Sequence, residues 1–139
     1  MKKPKTPAMD LFDKFVTGYN ERNLPLLLSL FTDESTVWGT GLDEYRKGLK
    51  ELEGQFKRDW SQAQKGSIEI ISSVPTNDDT WAAAIAKVRL TIDGKEYTFD
   101  DFRTTMTVKK YGNEWKILHA HSSFPDMRNP ESGSFPVNA

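Results

Sequence analysis

The dipeptide Asp93-Gly94 restricts this chain more than any other feature. Both central residues of a two-residue type I′ turn need positive φ, and Asp-Gly meets that need at little steric cost. The pair lies between two runs with strand character, Trp81 to Ile92 and Tyr97 to Lys110, so these runs are expected to fold back as an antiparallel hairpin. A second break at Gly112-Asn113 leads into a further run, Trp115 to Phe124. Upstream, Ile68 to Val74 ends in the turn cluster Pro75-Thr76-Asn77-Asp78-Asp79. The second half of the chain therefore predicts a meander of four strands.

The first half has a different period. Leu11, Phe12, Phe15, Val16 and Tyr19 share one helical face, and Asn20 to Asn23 break it. Asn23 is suited to cap a second, short helix reaching about Phe31, with Pro25 in the first turn where a missing N–H costs little. Thr32-Asp33-Glu34-Ser35 reads as a turn, and Thr36-Val37-Trp38 as a short extended piece ending at Gly39 and Gly41. Leu42, Tyr45, Leu49, Leu52, Phe56 and Trp60 have the spacing of a third helix, although Gly48 leaves 42–47 open to a loop instead. Helices first and a meander afterwards predict an α+β domain over residues 9–126, with tails at 1–8 and 127–139. The expected shape is a cone: N-terminal helices packed on a strongly curved antiparallel sheet, with space at its open end for a ligand.

Charge narrows the partners. Nineteen Lys and Arg against 20 Asp and Glu leave a net charge of -1, which provides no basic field for nucleic acid or an anionic membrane. A small molecule is the expected partner. The chain has no cysteine, which removes disulfides, thiolate nucleophiles and cysteine metal sites and fits a cytoplasmic protein. The basic N-terminus runs into amphipathic sequence rather than a signal-peptide core, so export is not expected.

Strand alternation puts Trp115, Ile117, His119, His121 and Ser123 on one face, and Lys116, Leu118, Ala120, Ser122 and Phe124 on the other. If the first face lines the cone, His119 and His121 can move protons near neutral pH; otherwise they are core or interface histidines. No third ligand stands at local spacing, so neither a metal nor a cofactor is expected. Arg89 and Arg103 lie within strands, and each needs a ligand anion, exposure, or a carboxylate such as Asp59, Asp100 or Asp101. A single β-bulge would reverse these face assignments. Trp38, Tyr45 and Trp60 have the large surfaces and polar handles that line pockets, with core packing as the alternative. Asp100 and Asp101 are adjacent and so face opposite ways, which argues against a paired-carboxylate mechanism, and there is no nucleophile elbow or phosphate loop.

Phe31-Thr32-Asp33-Glu34-Ser35-Thr36-Val37 after the second helix, and Trp115-Lys116-Ile117-Leu118-His119-Ala120-His121-Ser122-Ser123 at the end, resemble the nuclear-transport-factor-2-like superfamily, specifically its SnoaL-like branch. Ile85 to Thr91 and Phe102-Arg103-Thr104-Thr105 are also similar to the association domain of calcium/calmodulin-dependent protein kinase. The resemblance implies a cone with a pocket, frequent dimerisation through the open sheet, and functions from isomerases, cyclases and hydrolases to binding and assembly. It also implies that Arg89 and Arg103 line a pocket. Isomerase-like relatives use an aspartate base just after the Thr-Val element, where this chain reads Trp38-Gly39-Thr40, which weakens an enolising mechanism. The resulting expectation is a homodimeric binder of a small carboxylate or polar organic ligand, through Trp38, Tyr45, Trp60, Arg89, Arg103 and Ser123. The alternatives are a cyclase, isomerase or hydrolase using His119 or His121, and an assembly module.

Overall fold

A computed structural model describes residues 5–137; the outermost parts of the expected tails, 1–4 and 138–139, lie outside the described residues. Helix α1 (Pro7–Asn20) begins earlier than the apolar stripe implies, because Thr6 caps it: the Thr6 hydroxyl accepts from the Met9 N–H at 3.1 Å, and Pro7 occupies the first turn. Helix α2 (Leu24–Ser29) starts as expected, with the Asn23 side chain accepting from the Leu26 N–H. It stops short of Phe31, which opens strand β1 (Phe31–Trp38).

Strand β2 (Tyr45–Lys47) pairs antiparallel with the end of β1, and only then does helix α3 (Gly48–Gln62) begin. The spacing had allowed a helix from Leu42. It fails because Gly48 has φ +83, a conformation closed to a helix, and because the Leu49 N–H is taken by the Asp33 carboxylate across from β1. Leu42 is left in the connecting loop, fully exposed.

Strands β3 (Lys65–Ser73), β4 (Trp81–Ile92), β5 (Lys95–Tyr111) and β6 (Glu114–Ser123) form the expected meander. Asp93 and Gly94 both have positive φ, as the type I′ turn requires. The sheet order is β2-β1-β6-β5-β4-β3, and the sheet is curved and unclosed. β1 runs parallel to β6, so the sheet is mixed at that end rather than wholly antiparallel. The segment 32–35, read as a turn, is an excursion within β1: from Phe31 to Thr36 the strand advances five residues while β6 advances only from Ile117 to His119. Buried Ser35 holds it in place, accepting from the Thr32 N–H and donating to the Ile117 carbonyl at 2.5 Å.

α1, α2 and α3 cover one face of the sheet, burying Phe12, Leu27, Leu52 and Phe56 against Met106 and Ile117. Each large apolar side chain fully buried there contributes roughly 1.5–3 kcal/mol. Two side chains tie the helices to the sheet and to each other. The Asn20 amide donates to the Ile68 carbonyl and accepts from the Ile68 N–H. Arg22 donates to the carbonyls of Trp60 and Ala63 at the end of α3.

Candidate functional site

The register of β6 decides what the covered face presents. Val108 pairs with Ile117, but Thr107 pairs with His119, so Leu118 is an extra residue in a β-bulge. Ile117 is buried in the core, and past the bulge the inward set becomes Ala120, Ser122 and Phe124. A matching irregularity in β5 sets Phe102 against Ala86 and Phe99 against Val88, so two rings three residues apart both turn inward around Asp100 and Asp101.

Between this face, α1 and α3 lies a cavity of about 310 Å³. Most of its wall is apolar, from Phe15, Phe31, Phe56, Met106 and the inward residues of β4. Phe124 packs against Phe99 and Phe102, with ring centroids 5.1 and 5.3 Å apart, beside the cavity.

A polar cluster from α1 and α3 interrupts the apolar wall. Asp59 accepts from the Tyr19 hydroxyl at 2.8 Å on one carboxylate oxygen and from Gln55 Nε2 at 2.6 Å on the other. Gln55 and Asp59 are one helical turn apart and therefore share a face. Burial raises the Asp59 carboxyl above its ordinary value, against the lowering effect of those two donors, and the Glu44 carboxylate adds to the rise. Burial and the neighbouring Asp59 push the Tyr19 phenol far up, so it stays protonated and acts as a donor. Gln55 is 8% exposed, and its Oε1 has no hydrogen-bond partner among the described residues. At a buried amide, a carbonyl without a donor marks unfilled hydrogen-bonding capacity.

Glu44 reaches the cavity because of two glycines. A Cβ on Gly39 would lie 2.0 Å from Glu44 Oε2, and one on Gly41 would lie 2.7 Å from Oε1. The side chain folds into the space they leave, and the Gly39 N–H closes the loop on the Glu44 carbonyl at 2.8 Å. At the place where the resemblance puts an aspartate, a carboxylate from five residues downstream fills the room a side chain would need.

None of the eight residues singled out from the sequence lines this cavity. Arg103 pairs with Ser123, Thr105 with His121, and Trp38 with His121, so Trp38, Arg103, His121 and Ser123 do share a face, but it is the one turned away from the helices. The reason is the bulge at Leu118, which reverses the parity running from Ile117. His119 lies on that outer face, half-buried, with Nδ1 2.7 Å from the Thr36 hydroxyl, and His121 is exposed. Tyr45 packs against Trp38 with ring centroids 4.7 Å apart and the planes tilted by 45°, and is exposed. Arg89 is exposed beside β3, between the cavity-lining Val88 and Leu90. Trp60 packs on Tyr19 and Phe56 within the core stripe. Tyr19, Glu44, Gln55 and Asp59 were missed as site residues. Gln55 and Asp59 left one trace in the sequence: a polar i,i+4 pair set into the apolar stripe of Leu52, Phe56 and Trp60. Among the described residues no three His, Cys, Asp or Glu gather in a way that could hold a metal ion, and no helix is long and apolar enough to cross a membrane.

The architecture matches known structures at low identity. A Xanthomonas campestris protein assigned as a calcium/calmodulin dependent protein kinase II association domain is 22% identical, covers 91% of this chain and 96% of its own, and has a TM-score of 0.71. RV0760c from Mycobacterium tuberculosis, solved in complex with estradiol-17beta-hemisuccinate, is 15% identical over 85% of this chain and 93% of its own, with a TM-score of 0.72. A ketosteroid isomerase-like protein from Erwinia carotovora atroseptica is 16% identical over 86% and 95%, with a TM-score of 0.68. No curated protein matches the sequence. The SnoaL-like domain family matches residues 8–127, and with most of its length accounted for in this way, the chain belongs to that family.

Proposed function

We propose that the protein binds a small organic molecule in the cavity between α1, α3 and the sheet. The observation that carries this reading is the cavity itself: about 310 Å³, apolar over most of its wall, with Tyr19, Gln55 and Asp59 converging on it. Apolar walls with a few placed polar groups are the usual form of a ligand site. A neighbour of the same fold held a steroid ester when its structure was determined, which supports organic-ligand binding as a use of this architecture. A small carboxylate is the wrong ligand for this cavity, because its charged lining groups are Glu44 and Asp59 while Arg89 and Arg103 point elsewhere. Catalysis by His119 or His121 would need an imidazole inside the cavity, and neither lines it.

The test is a calorimetric and thermal-shift screen of neutral and donor-bearing aromatic compounds, repeated on Ala120→Leu. Ala120 is buried in the cavity wall, so the larger side chain should weaken genuine cavity ligands by about tenfold or more while circular dichroism stays native. Hits that ignore the substitution bind elsewhere and count against the reading.

A second reading concerns the outer face of the sheet, where Trp38 is 49% exposed and Tyr45 and Ile85 are also exposed. Large apolar side chains gathered on one open surface favour contact with another protein. We propose that this face, with His119, His121, Arg103 and Ser123 on it, joins two copies of the chain into a homodimer.

A further inference from the structure

The charged groups of the cavity lining, and the buried amide oxygen there that lacks a partner, are all hydrogen-bond acceptors. The Tyr19 proton is committed to Asp59, and so is one N–H of the Gln55 amide. Three acceptors stand out: the Gln55 Oε1 atom, which is buried without a partner among the described residues, the Glu44 carboxylate, and the spare lone pairs of Asp59. Among the described residues no Lys, Arg or His lines the cavity. Arg58, outside the lining, is engaged by Asp43 at 2.8 and 3.0 Å and makes only a long ion pair with Glu44, at 3.9 Å. Two carboxylates therefore face a largely apolar space that no cationic side chain among the described residues lines.

We propose, building on the binding function above, that the ligand is an organic ammonium ion: an aromatic or alicyclic body bearing a primary or secondary amine whose N–H groups are received by Gln55, Asp59 and Glu44. A hydroxyl brings one donor and no charge. An ammonium brings two or three donors, satisfies the unpartnered amide oxygen, and places a positive charge between the carboxylates of Asp59 and Glu44. The walls suit the same ion, because Phe15, Tyr19 and Phe56 present aromatic rings around the polar cluster, and rings attract cations through their faces. The glycines at 39 and 41 fit this reading too, since they give the second carboxylate its access.

Three probes with one body and different head groups test it: 2-phenylethylamine, 2-phenylethanol and 3-phenylpropionate, measured by calorimetry near neutral pH. The amine should bind about tenfold or more tighter than the alcohol, with the carboxylate weakest. Asp59→Asn and Glu44→Gln should each abolish the preference for the amine while leaving the affinity for the alcohol within about twofold. If Asp59→Asn does not fold, Glu44→Gln on the rim loop carries the test alone. An alcohol or carboxylate bound as tightly as the amine, an amine that does not bind, or a preference that survives the substitutions would overturn the ammonium assignment. Equal binding of amine and alcohol, both weakened by Ala120→Leu, would do so while leaving the binding function intact. No binding by these probes or by the wider screen would remove both.

Discussion

Asp59 sits in surroundings unlike those of an ordinary surface carboxylate, and the departure has a sign. Burial raises its pKa above 3.8, so the folded protein holds this proton more tightly than the unfolded chain does. As far as this group is concerned, folding is favoured most below the unfolded value, and that contribution is lost as pH rises through the folded one. Asp59→Asn cannot ionise. In urea denaturation from about pH 3.5 to about pH 8, wild type should therefore lose stability relative to Asp59→Asn as pH rises, then level off. A difference that is flat with pH would show that the carboxylate is not held above its ordinary range. Ser35 gives a second expectation at the same scale. Its hydroxyl serves two backbone groups inside the β1 excursion, so Ser35→Ala should cost about 1–3 kcal/mol in the same assay, well above the cost of an exposed serine.

Among the elements, Asn20 acts as a substitute for a neighbouring strand. Its amide makes the donor and acceptor contacts with Ile68 that a paired backbone would make, on an edge strand that otherwise has only β4 beside it. Asn20→Ala should cost about 1–3 kcal/mol and speed amide exchange in β3 more than in β5. Elements were also the most legible part of the sequence. The meander could be read because Asp93-Gly94 and Gly112 demand positive φ and alternating runs flank them. The second helix could be read because Asn23 and Pro25 signal its start. Strand β2 could not, since three residues carry no period, and the apolar spacing through Tyr45 imitated a helix that Gly48 interrupts. The site was hidden for a different reason. The alternation along β6 puts the two histidines on one face but does not decide whether Arg103 shares it; which face looks inward depends on Leu118, and a bulge depends on cross-strand register that no local pattern records. Asp59 was visible only as a possible ion-pair partner for the arginines; its contacts with Tyr19, forty positions away, exist only in the fold.

For the whole molecule, the curved sheet separates two surfaces of different character. The covered face encloses the cavity, and the open face carries Trp38, Tyr45 and the histidines. Should the open face join two copies, Trp38→Glu ought to convert a dimer to a monomer in sedimentation analysis while leaving amine binding unchanged, because Trp38 lies outside the cavity. A monomeric wild type would dismiss the homodimer. The bulge at Leu118 gives β6 something like a reading frame. Substitutions change letters within one face or the other, but a single inserted or deleted residue upstream of His119 would shift the frame and turn into the cavity the side chains of β6 now on the open face. At identities as low as those of the known neighbours, the position of one gap in this strand decides whether the histidines of a relative are counted as interior or exterior.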